Sequence, residues 1–326
     1  MDTTFEAWDI PNYGAPEVLS PVRHPMPTPA EDQILVRIRA SAVTRADGMM
    51  RAGHPKIARV FLGLSRPRAG LSGTCFSGEV VGLGSAVTRF KIGEAVFGEA
   101  GLKFGANASH ICVSEEGSIL AKPDTLNFEE AAVMFDGAMT SWHFLTHVAP
   151  VKPKDRVLIL GGSGSLGSAA IQIATALGAQ VTATSSTRNG ELLSALGATR
   201  VIDYTRETPF QAGARYDLVF DTLGVSSFGA AKPSLARNGR YACPVLGLGL
   251  LRDVMLTRFF SPQRAVFSAA GLQTPEHHRK QLTGLLSLVA DGRFAPVMDR
   301  TYPFADLVEA HRYVATGRKR GNVVVV

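Results

Sequence analysis

The stretch Asp155–Gly178, DRVLILGGSGSLGSAAIQIATALG, decides the fold class of this chain. Four consecutive apolar residues, Val157–Leu160, lead into the glycine-rich turn Gly161–Gly167, and an apolar-periodic segment follows as far as Gly178. This order predicts a buried strand, a tight turn and a helix.

The turn has the spacing of a dinucleotide-binding loop. Gly162, Gly164 and Gly167 satisfy G-x-G-x-x-G, which lets the backbone turn sharply, approach a pyrophosphate and pack helix on strand. The helix that follows offers free amide N–H groups and its positive dipole end to phosphates. Glycine-rich turns also join strands to helices without a ligand, but the flanking strand and helix favour the cofactor interpretation. The predicted phosphate contacts are Gly162, Ser163, Gly164, Ser165, Leu166 and Gly167.

Strands and helices alternate after the turn, as a doubly wound parallel sheet requires. The predicted strands are Gln180–Thr184, Arg200–Ile202, Asp217–Asp221, Arg240–Pro244 and Ala265–Ala269. Before the turn, short alternating strands up to about Pro123 predict a β-rich lobe, and Asn127 with Glu130 forms a predicted capping box. Towards the end we expect helices over Gln281–Ala290 and Asp306–Thr316. We expect a last strand, Asn322–Val326, that returns to the first lobe.

Composition narrows the class of protein. The 326 residues are 45% hydrophobic and 19% charged, which is typical of a globular chain with two lobes. The net charge of +6 comes from scattered basic residues, so we expect no nucleic-acid partner. Three cysteines are too few for a disulfide framework. Because neither a secretory signal nor a membrane-length apolar run is seen, we expect a soluble, cytoplasmic protein without membrane contact.

The loop after the second predicted strand indicates which dinucleotide binds. NAD-specific sheets carry an acid there for the ribose hydroxyls, but Gln180–Gly190 contains none. The chain instead has Thr184-Ser185-Ser186-Thr187-Arg188, whose hydroxyls and guanidinium can bind a 2′-phosphate. The sequence therefore predicts NADP(H), while a solvated loop rich in small polar residues remains the alternative.

Several motifs together resemble one known family, the zinc-independent medium-chain dehydrogenase/reductases of the quinone oxidoreductase-like group. The resemblance covers nearly the whole chain, and its order and spacing are highly specific. The motifs that carry it are Gly73–Gly82, Gly84–Glu94, Ala121–Pro123, Phe128–Ala132, Gly161–Gly167, Leu196–Ala198, Val201–Tyr204, Tyr216–Asp221 and Lys319–Val324.

The resemblance implies an α/β architecture, in which a Rossmann doubly wound parallel sheet is inserted into a GroES-like β-rich catalytic domain. The Rossmann domain would span 125–268, and the catalytic domain would span 1–124 and 269–326. It also implies NADPH in the cleft between them and a homodimer. Ser185 and Arg188 would meet the 2′-phosphate and Tyr204 the adenosine phosphate. The resemblance further assigns Val245 and Phe267 to the nicotinamide side, and Lys319 and Asn322 to the cofactor from the catalytic domain.

The chain departs from the family pattern at positions that bind metal or donate a proton in relatives. Zinc-containing relatives carry thiol or imidazole ligands where this chain has Thr44, Gly73-Thr74-Cys75 and Ala138, so we expect no metal. Zinc-free members often show Asn and Tyr where this chain has Thr44 and Met49. A side-chain proton donor is therefore not evident, and the role of Cys75 is open.

Other groups of side chains are weaker candidates for a functional site. His143 and His147 share a helix face but lack a third ligand, and His277-His278 is typical of a solvated pair at a helix start. Ser163 and Ser165 do not form the nucleophile elbow of a hydrolase. Trp142, Phe144 and Leu145 are expected to be core residues.

The predicted protein is an enzyme that passes hydride from NADPH to a small apolar quinone or α,β-unsaturated carbonyl, without zinc. Protonation would come from solvent or from a hydroxyl, with Thr44 and Thr140 as candidates. Zinc-free alcohol or carbonyl interconversion is one alternative. An NADPH-binding sensor or structural protein without turnover is another.

Overall fold

The computed structural model describes residues 3–54, 56, 59–68, 70–210 and 213–326. Within these ranges the strands are β1 Thr4–Asp9, β2 Ser20–Pro25, β3 Gln33–Ala42, β4 Cys75–Leu83, β5 Ala95–Glu99, β6 His110–Ser114, β7 Ser118–Ala121, β8 Arg156–Leu160, β9 Gln180–Ser185, β10 Arg200–Asp203, β11 Tyr216–Asp221, β12 Leu235–Ala242, β13 Arg264–Val266, β14 Met298–Tyr302 and β15 Asn322–Val325. The α-helices there are α1 Arg45–Ala52, α2 Arg59–Leu62, α3 Phe128–Ala132, α4 Met139–His143, α5 Ser165–Ala176, α6 Gly190–Ala195, α7 Phe228–Ala231, α8 Leu248–Phe260, α9 Pro275–Ala290 and α10 Leu307–Ala315.

The chain divides into two units. Unit 1 contains Met1–Asp136, Thr274–Lys280 and Met298–Val326, and unit 2 contains Gly137–Gln273 and Gln281–Val297. Residues 125–136 belong to unit 1 and residues 281–297 belong to unit 2. The predicted Rossmann domain, in contrast, begins at residue 125 and ends at residue 268. The domain boundaries themselves stay a prediction.

Unit 1 is built on a seven-stranded sheet with the order β14-β15-β3-β4-β5-β7, and β6 pairs with β3. The terminal strand β15 pairs antiparallel with β3, with Val324 opposite Ala42, and parallel with β14. The predicted return of the last strand to the first lobe is therefore confirmed. Alternating residues of β3 and β4, such as Ile34, Val36 and Val80, are completely buried and form the core of this sheet.

Unit 2 contains a six-stranded sheet with the order β10-β9-β8-β11-β12-β13, in which every neighbouring pair is parallel. Val157–Leu160 of β8 is buried without alternation, because crossover helices cover both faces of such a sheet. This strand order places the first strand at the point where the winding reverses. The predicted fold class, a Rossmann sheet together with a GroES-like β-rich domain, is confirmed.

Most predicted elements of unit 2 are found with shifted ends. The strands predicted at Gln180–Thr184, Arg200–Ile202 and Asp217–Asp221 are each present in slightly longer form, as β9, β10 and β11. The strand predicted at Arg240–Pro244 is instead Leu235–Ala242. It ends before Pro244, whose nitrogen carries no hydrogen for a sheet bond.

Two interpretations from the sequence were wrong or incomplete. His277-His278 is not a solvated pair, because His278 is only 3% exposed and its Nδ1 lies 2.9 Å from Ser118 Oγ. Helix α8, Leu248–Phe260, was not predicted, since its apolar residues follow no helical stripe. Among the core residues, Phe144 and Leu145 are fully buried as expected, whereas Trp142 is half-buried.

Candidate functional site

The glycine turn of unit 2 is built so that a side chain would not fit at three of its four glycines, Gly161, Gly162 and Gly167. Gly161 has φ +78°, and a Cβ on Gly167 would lie 2.1 Å from the carbonyl oxygen of Gly161. The turn is tied to the end of β9, since Gly162 N donates to Thr184 O over 2.8 Å. Helix and strand therefore approach each other as the glycine spacing predicted.

Gly164 leaves open space above the first turn of α5. It is the N-cap of α5 without a side-chain cap, and a Cβ there would meet nothing closer than Gly161 O at 3.7 Å. The first amides of α5, at Ser165, Leu166 and Gly167, lack intrahelical acceptors because they precede the first full turn. These features fit a pyrophosphate held by backbone N–H groups, with Ser163 and Ser165 at the edge of the turn.

The loop after β9 carries the residues predicted to select the 2′-phosphate. Ser185 ends β9 and is 2% exposed, and its hydroxyl donates to Ser186 O over 3.0 Å. Arg188 lies in the short 3₁₀ turn Thr187–Asn189 and is exposed. Tyr204 follows β10 and is 60% exposed, and its backbone N–H donates to Ser185 O over 3.1 Å. Ser185 and Tyr204 are thus neighbours at the ends of the paired strands β9 and β10.

Asp203 is a carboxylate that the sequence-based interpretation of this loop missed. It ends β10 opposite Ser185 and accepts hydrogen bonds from the Thr187 hydroxyl and from both N and Oγ1 of Thr205. These bonds, led by that of Thr187, lower the pKa of Asp203. The acid lies on the third strand, so the residues that follow the second strand give no sign of it. Only strand pairing shows that it borders the loop.

A second carboxylate, that of the buried Asp221, organises the loop after β11. It is fully buried, and its oxygens accept bonds from the amides of Leu223, Gly224, Val225 and Ser226 and from the Tyr241 hydroxyl. The only sign of this role in the sequence is that an acid, Asp221, stands at the end of a predicted strand. Val245, a predicted nicotinamide neighbour, lies against this loop, because a Cβ on Gly224 would be 2.9 Å from Val245 Cβ. Phe267, the other residue predicted to lie near the nicotinamide, directly follows β13 and is half-buried.

In unit 1, Thr44 caps helix α1 and is bound to Asp47. Thr44 Oγ1 donates to Asp47 Oδ2 over 2.7 Å and accepts from Asp47 N, so the two residues form a capping box. Thr74 Oγ1 donates to the other carboxylate oxygen of Asp47 over 3.0 Å. Burial raises the pKa of Asp47 to about 6, against these hydrogen bonds, which lower it.

The buried Asp47 belongs to a group of acids around the buried Cys75. Burial, followed by the charges of Asp47 and Asp136, raises the pKa of Glu99 to about 8. Burial also raises the pKa of the Cys75 thiol well above its usual range. His278 Nδ1 lies 3.7 Å from Glu99 Oε2. We name Asp47, Cys75, Glu99 and Asp136 the acid cluster.

The donors at the positions where zinc-containing relatives hold their metal do not fit Zn²⁺. Thr44 and Thr74 offer hydroxyls, whose protons are donated to Asp47, and the Cys75 thiol is kept neutral by burial. In the part of the chain that the structure describes, no three His, Cys, Asp or Glu side chains are grouped to hold a metal ion. The described helices also include none that is long and apolar enough to cross a membrane.

The remaining predicted residues lie in both units. In unit 1, Lys319 Nζ donates to Gly321 O over 2.9 Å, and burial lowers the pKa of its ammonium group against the opposing charges of Asp136, Asp299 and Asp47. Asn322 begins β15 and is 6% exposed. In unit 2, Thr140 is a half-buried residue of α4. The roles of these residues and of Thr44 stay predictions.

Known proteins match the chain over its whole length. The family described as "Alcohol dehydrogenase GroES-like domain" matches residues 30–142, and the family described as "Zinc-binding dehydrogenase" matches residues 196–325. The 2-methylene-furan-3-one reductase of Solanum lycopersicum is 31% identical, over 100% of this chain and 80% of the relative. The chloroplastic NADPH-dependent alkenal/one oxidoreductase of Arabidopsis thaliana is 29% identical, over 98% of this chain and 79% of the relative.

A solved structure supports the same assignment. The quinone oxidoreductase from Coxiella burnetii is 29% identical, covers 99% of both chains and superposes with a TM-score of 0.87. The glycine turn, the parallel sheet and the β-rich unit are thus those that the sequence motifs predicted. The chain belongs to the zinc-independent medium-chain dehydrogenase/reductase family, in its quinone oxidoreductase-like group.

Proposed function

We propose that this chain is an NADPH-dependent reductase of quinones or α,β-unsaturated carbonyls that works without zinc. The observation that carries the proposal is the glycine turn at the start of α5, where Gly164 leaves the helix N-terminus open to a pyrophosphate. The relatives' names add the substrate class, since they include an alkenal/one oxidoreductase that is NADPH-dependent and a furanone reductase.

The residues of unit 2 hold the cofactor. The amides of Ser165–Gly167 bind the pyrophosphate, and Arg188 with Ser185 binds the 2′-phosphate. NADPH supplies the hydride that reduces the conjugated acceptor. Because Asp203 borders the loop of Ser185, the cation of Arg188 is needed to offset its charge when a phosphate binds.

Protonation of the reduced acceptor comes from solvent or from a hydroxyl, with Thr44 and Thr140 as candidates. Thr44 donates its proton to Asp47, so protonation through Thr44 needs a proton to return from Asp47. The pKa of Asp47, about 6, is close enough to neutral pH for such an exchange. Lys319 and Asn322 are proposed to contact the cofactor from unit 1.

We also propose that two copies form a homodimer through α8 and β13. β13 is an edge strand of the six-stranded sheet, so its outer backbone groups can pair with a second copy. The preceding helix α8 exposes large apolar side chains. These are Leu248, Leu251, Met255, Leu256, Phe259 and Phe260, which we name the α8 surface. A cytoplasmic location remains a prediction.

The test is NADPH oxidation with a panel of quinones and enones, compared with NADH. We expect turnover with NADPH, and for Arg188→Ala a KM for NADPH at least tenfold higher with an unchanged KM for NADH. Arg237→Ala, at an exposed arginine of β12, is the control. NADPH binding without turnover would favour the sensor alternative, and equal use of NADH would contradict the role of Arg188.

A further inference from the structure

A chain of hydrogen bonds in unit 2 holds the hydroxyl group of Ser268. His143 of α4 is 6% exposed, and its Nε2 lies 2.8 Å from Ser268 Oγ. The other ring nitrogen, Nδ1, lies 2.7 Å from Nε2 of Gln281, which is also buried. All three residues belong to unit 2. The ring of a buried histidine therefore connects an amide to a hydroxyl.

The direction of these hydrogen bonds follows from the chemistry of the amide. The amide nitrogen of Gln281 can only donate, so Nδ1 of His143 accepts and the ring proton is on Nε2. This Nε2–H donates to Ser268 Oγ, which leaves the hydroxyl proton of Ser268 for another acceptor. The described residues offer this proton no acceptor of their own. Since each donor in the chain points the same way, the bonds strengthen one another and make the hydroxyl a better donor.

Helix α4 places this hydroxyl near the proposed pyrophosphate site. Ser141 Oγ, on α4, donates to Leu166 O in the first turn of α5 over 2.8 Å. The same helix contacts the 3₁₀ turn Ala270–Leu272, which closely follows Ser268 in the chain. A helix of five residues, Met139–His143, thus joins the start of α5 to the loop that carries Ser268.

Ser268 also lies at the edge of the sheet where the dinucleotide is proposed to bind. Strands β8, β11, β12 and β13 are parallel, so the loops that follow them share one edge. The proposed 2′-phosphate site follows β9, on one side of β8, whereas Ser268 follows β13, on the other side. A dinucleotide with its pyrophosphate at α5 therefore directs its nicotinamide, and the acceptor of the hydride, toward the loops after β11, β12 and β13.

We propose that Ser268 is a catalytic residue that donates a hydrogen bond to the carbonyl oxygen of the enone or quinone, and that His143 and Gln281 are its positioning residues. This inference rests on the proposed reductase function. Thr140, the candidate hydroxyl of α4, precedes His143 by three residues and lies on the same face of the helix. Both hydroxyls therefore belong to one side of the site.

The role of Ser268 is to stabilise charge. When hydride from NADPH adds to the conjugated acceptor, a π electron pair of the acceptor moves to its carbonyl oxygen, which becomes an oxyanion. Ser268 donates to this oxyanion and keeps its own proton. The proton that completes the reduction comes from solvent or from a threonine hydroxyl, as proposed above. Because His143 fixes the hydroxyl before the acceptor binds, the donor needs no rearrangement during the reaction.

The test is a single-turnover measurement in which the full chain, loaded with NADPH, is mixed with cyclohexenone or benzoquinone. We expect Ser268→Ala to slow NADPH oxidation at least tenfold with an unchanged Kd for NADPH, since a donor to the oxyanion is lost. Ser268→Thr keeps a hydroxyl and should lose less rate than Ser268→Ala. The control is Ser287→Ala in α9, where an exposed hydroxyl donates to Gly284 O, and it should change neither quantity.

A double-mutant cycle tests the positioning residue His143. His143→Leu should slow the reaction, because the hydroxyl of Ser268 loses its fixed direction. His143→Gln should lose less rate, because its amide nitrogen can replace Nε2 as the donor. In the Ser268→Ala background, His143→Leu should have no further effect. Equal effects of His143→Leu with and without the Ser268 hydroxyl would show that His143 acts only through folding, and would overturn its positioning role.

The remaining outcomes separate this proposal from the reductase function. A wild-type rate in Ser268→Ala, with an active wild-type chain, would overturn the role of Ser268 alone. No NADPH oxidation by the wild type would overturn the proposed function together with it. If Ser268→Ala raised the Kd for NADP⁺ but not for 2′-phospho-ADP-ribose, which lacks only the nicotinamide, the hydroxyl would bind the carboxamide of the cofactor. That result would also contradict a contact with the acceptor.

Discussion

At the scale of single residues, the glycines of the turn have separable roles. Gly167 has no room for a Cβ because of the backbone oxygen of Gly161, whereas Gly164 has open space at its own position. One glycine is therefore required by packing inside the protein. The other is required only if a ligand approaches the backbone closely.

We predict that Gly164→Ala and Gly167→Ala fail in different ways. Gly167→Ala should lower the free energy of unfolding by about 3 kcal/mol, since the backbone must shift to admit the methyl group. Gly164→Ala should cost about 1 kcal/mol or less, as an N-cap change, but weaken NADPH binding at least tenfold. Urea unfolding and NADPH fluorescence titration measure the two quantities. Unchanged NADPH affinity of Gly164→Ala would argue against a pyrophosphate at this turn.

Glu99 predicts a pH dependence of stability. Its pKa is about 8 in the folded chain, against an ordinary value of 4.5 for a hydrated glutamate, so the folded state holds a proton that the unfolded state releases between these values. The free energy of unfolding should therefore fall as pH rises from 4.5 to 8, by at most about 1.4 kcal/mol per pH unit. Glu99→Gln should flatten this slope in unfolding measured across the range.

The exposed Glu31 supplies the control for that experiment. Glu31→Gln should leave the pH slope as it is in the wild type. If Glu99→Gln and Glu31→Gln have the same slope, the carboxyl group of Glu99 is hydrated in solution and the acid cluster is less enclosed than the structure indicates.

At the scale of elements, helix α1 carries Asp47 of the acid cluster in its first turn and the buried Arg51 in its last turn. Its N-terminus is fixed by the capping box of Thr44 and Asp47. The sequence did not predict this box, although it predicted the box of Asn127 and Glu130 at α3, which is confirmed. The reason is that Asp47 stands at the position where the motif usually has Glu or Gln.

We predict that Thr44→Ala lowers the free energy of unfolding by about 1 kcal/mol through loss of the cap. Thr44→Ser should restore both stability and activity, because the hydroxyl is kept. Thr44→Asn should restore the cap without the hydroxyl. Reductase activity of Thr44→Asn close to that of the wild type would therefore show that Thr44 acts in folding and not as a proton donor.

At the scale of the whole molecule, the α8 surface predicts assembly. Phe259 and Phe260 are 75% and 82% exposed, which is unusual for adjacent aromatic residues of a folded protein. We predict that Phe259→Asp together with Phe260→Asp converts a dimer to a monomer in sedimentation, with an unchanged far-UV spectrum. The control is Leu102→Asp, at an exposed apolar residue of unit 1. A wild-type chain that sediments as a monomer would contradict the homodimer.

The sequence allowed the sheet of unit 2 to be predicted because its signals are local. Val157–Leu160 and the glycines that follow fix strand, turn and helix within one segment. The acid cluster could not be predicted in this way, since Asp47, Glu99 and Asp136 come from distant segments and only the fold makes their charges interact. Asp203 was missed for the same reason, because strand pairing and not chain order places it opposite Ser185.

The buried carboxylate of Asp221 affects the thermodynamics of cofactor binding. Four consecutive amides, from Leu223 to Ser226, are already bound to an anion that belongs to the chain itself. This loop therefore keeps its shape without a ligand, and no conformational entropy is lost there when a dinucleotide arrives. The same bonds leave these amides unavailable to a phosphate, so this loop would not compete with the start of α5, where the pyrophosphate is proposed to bind.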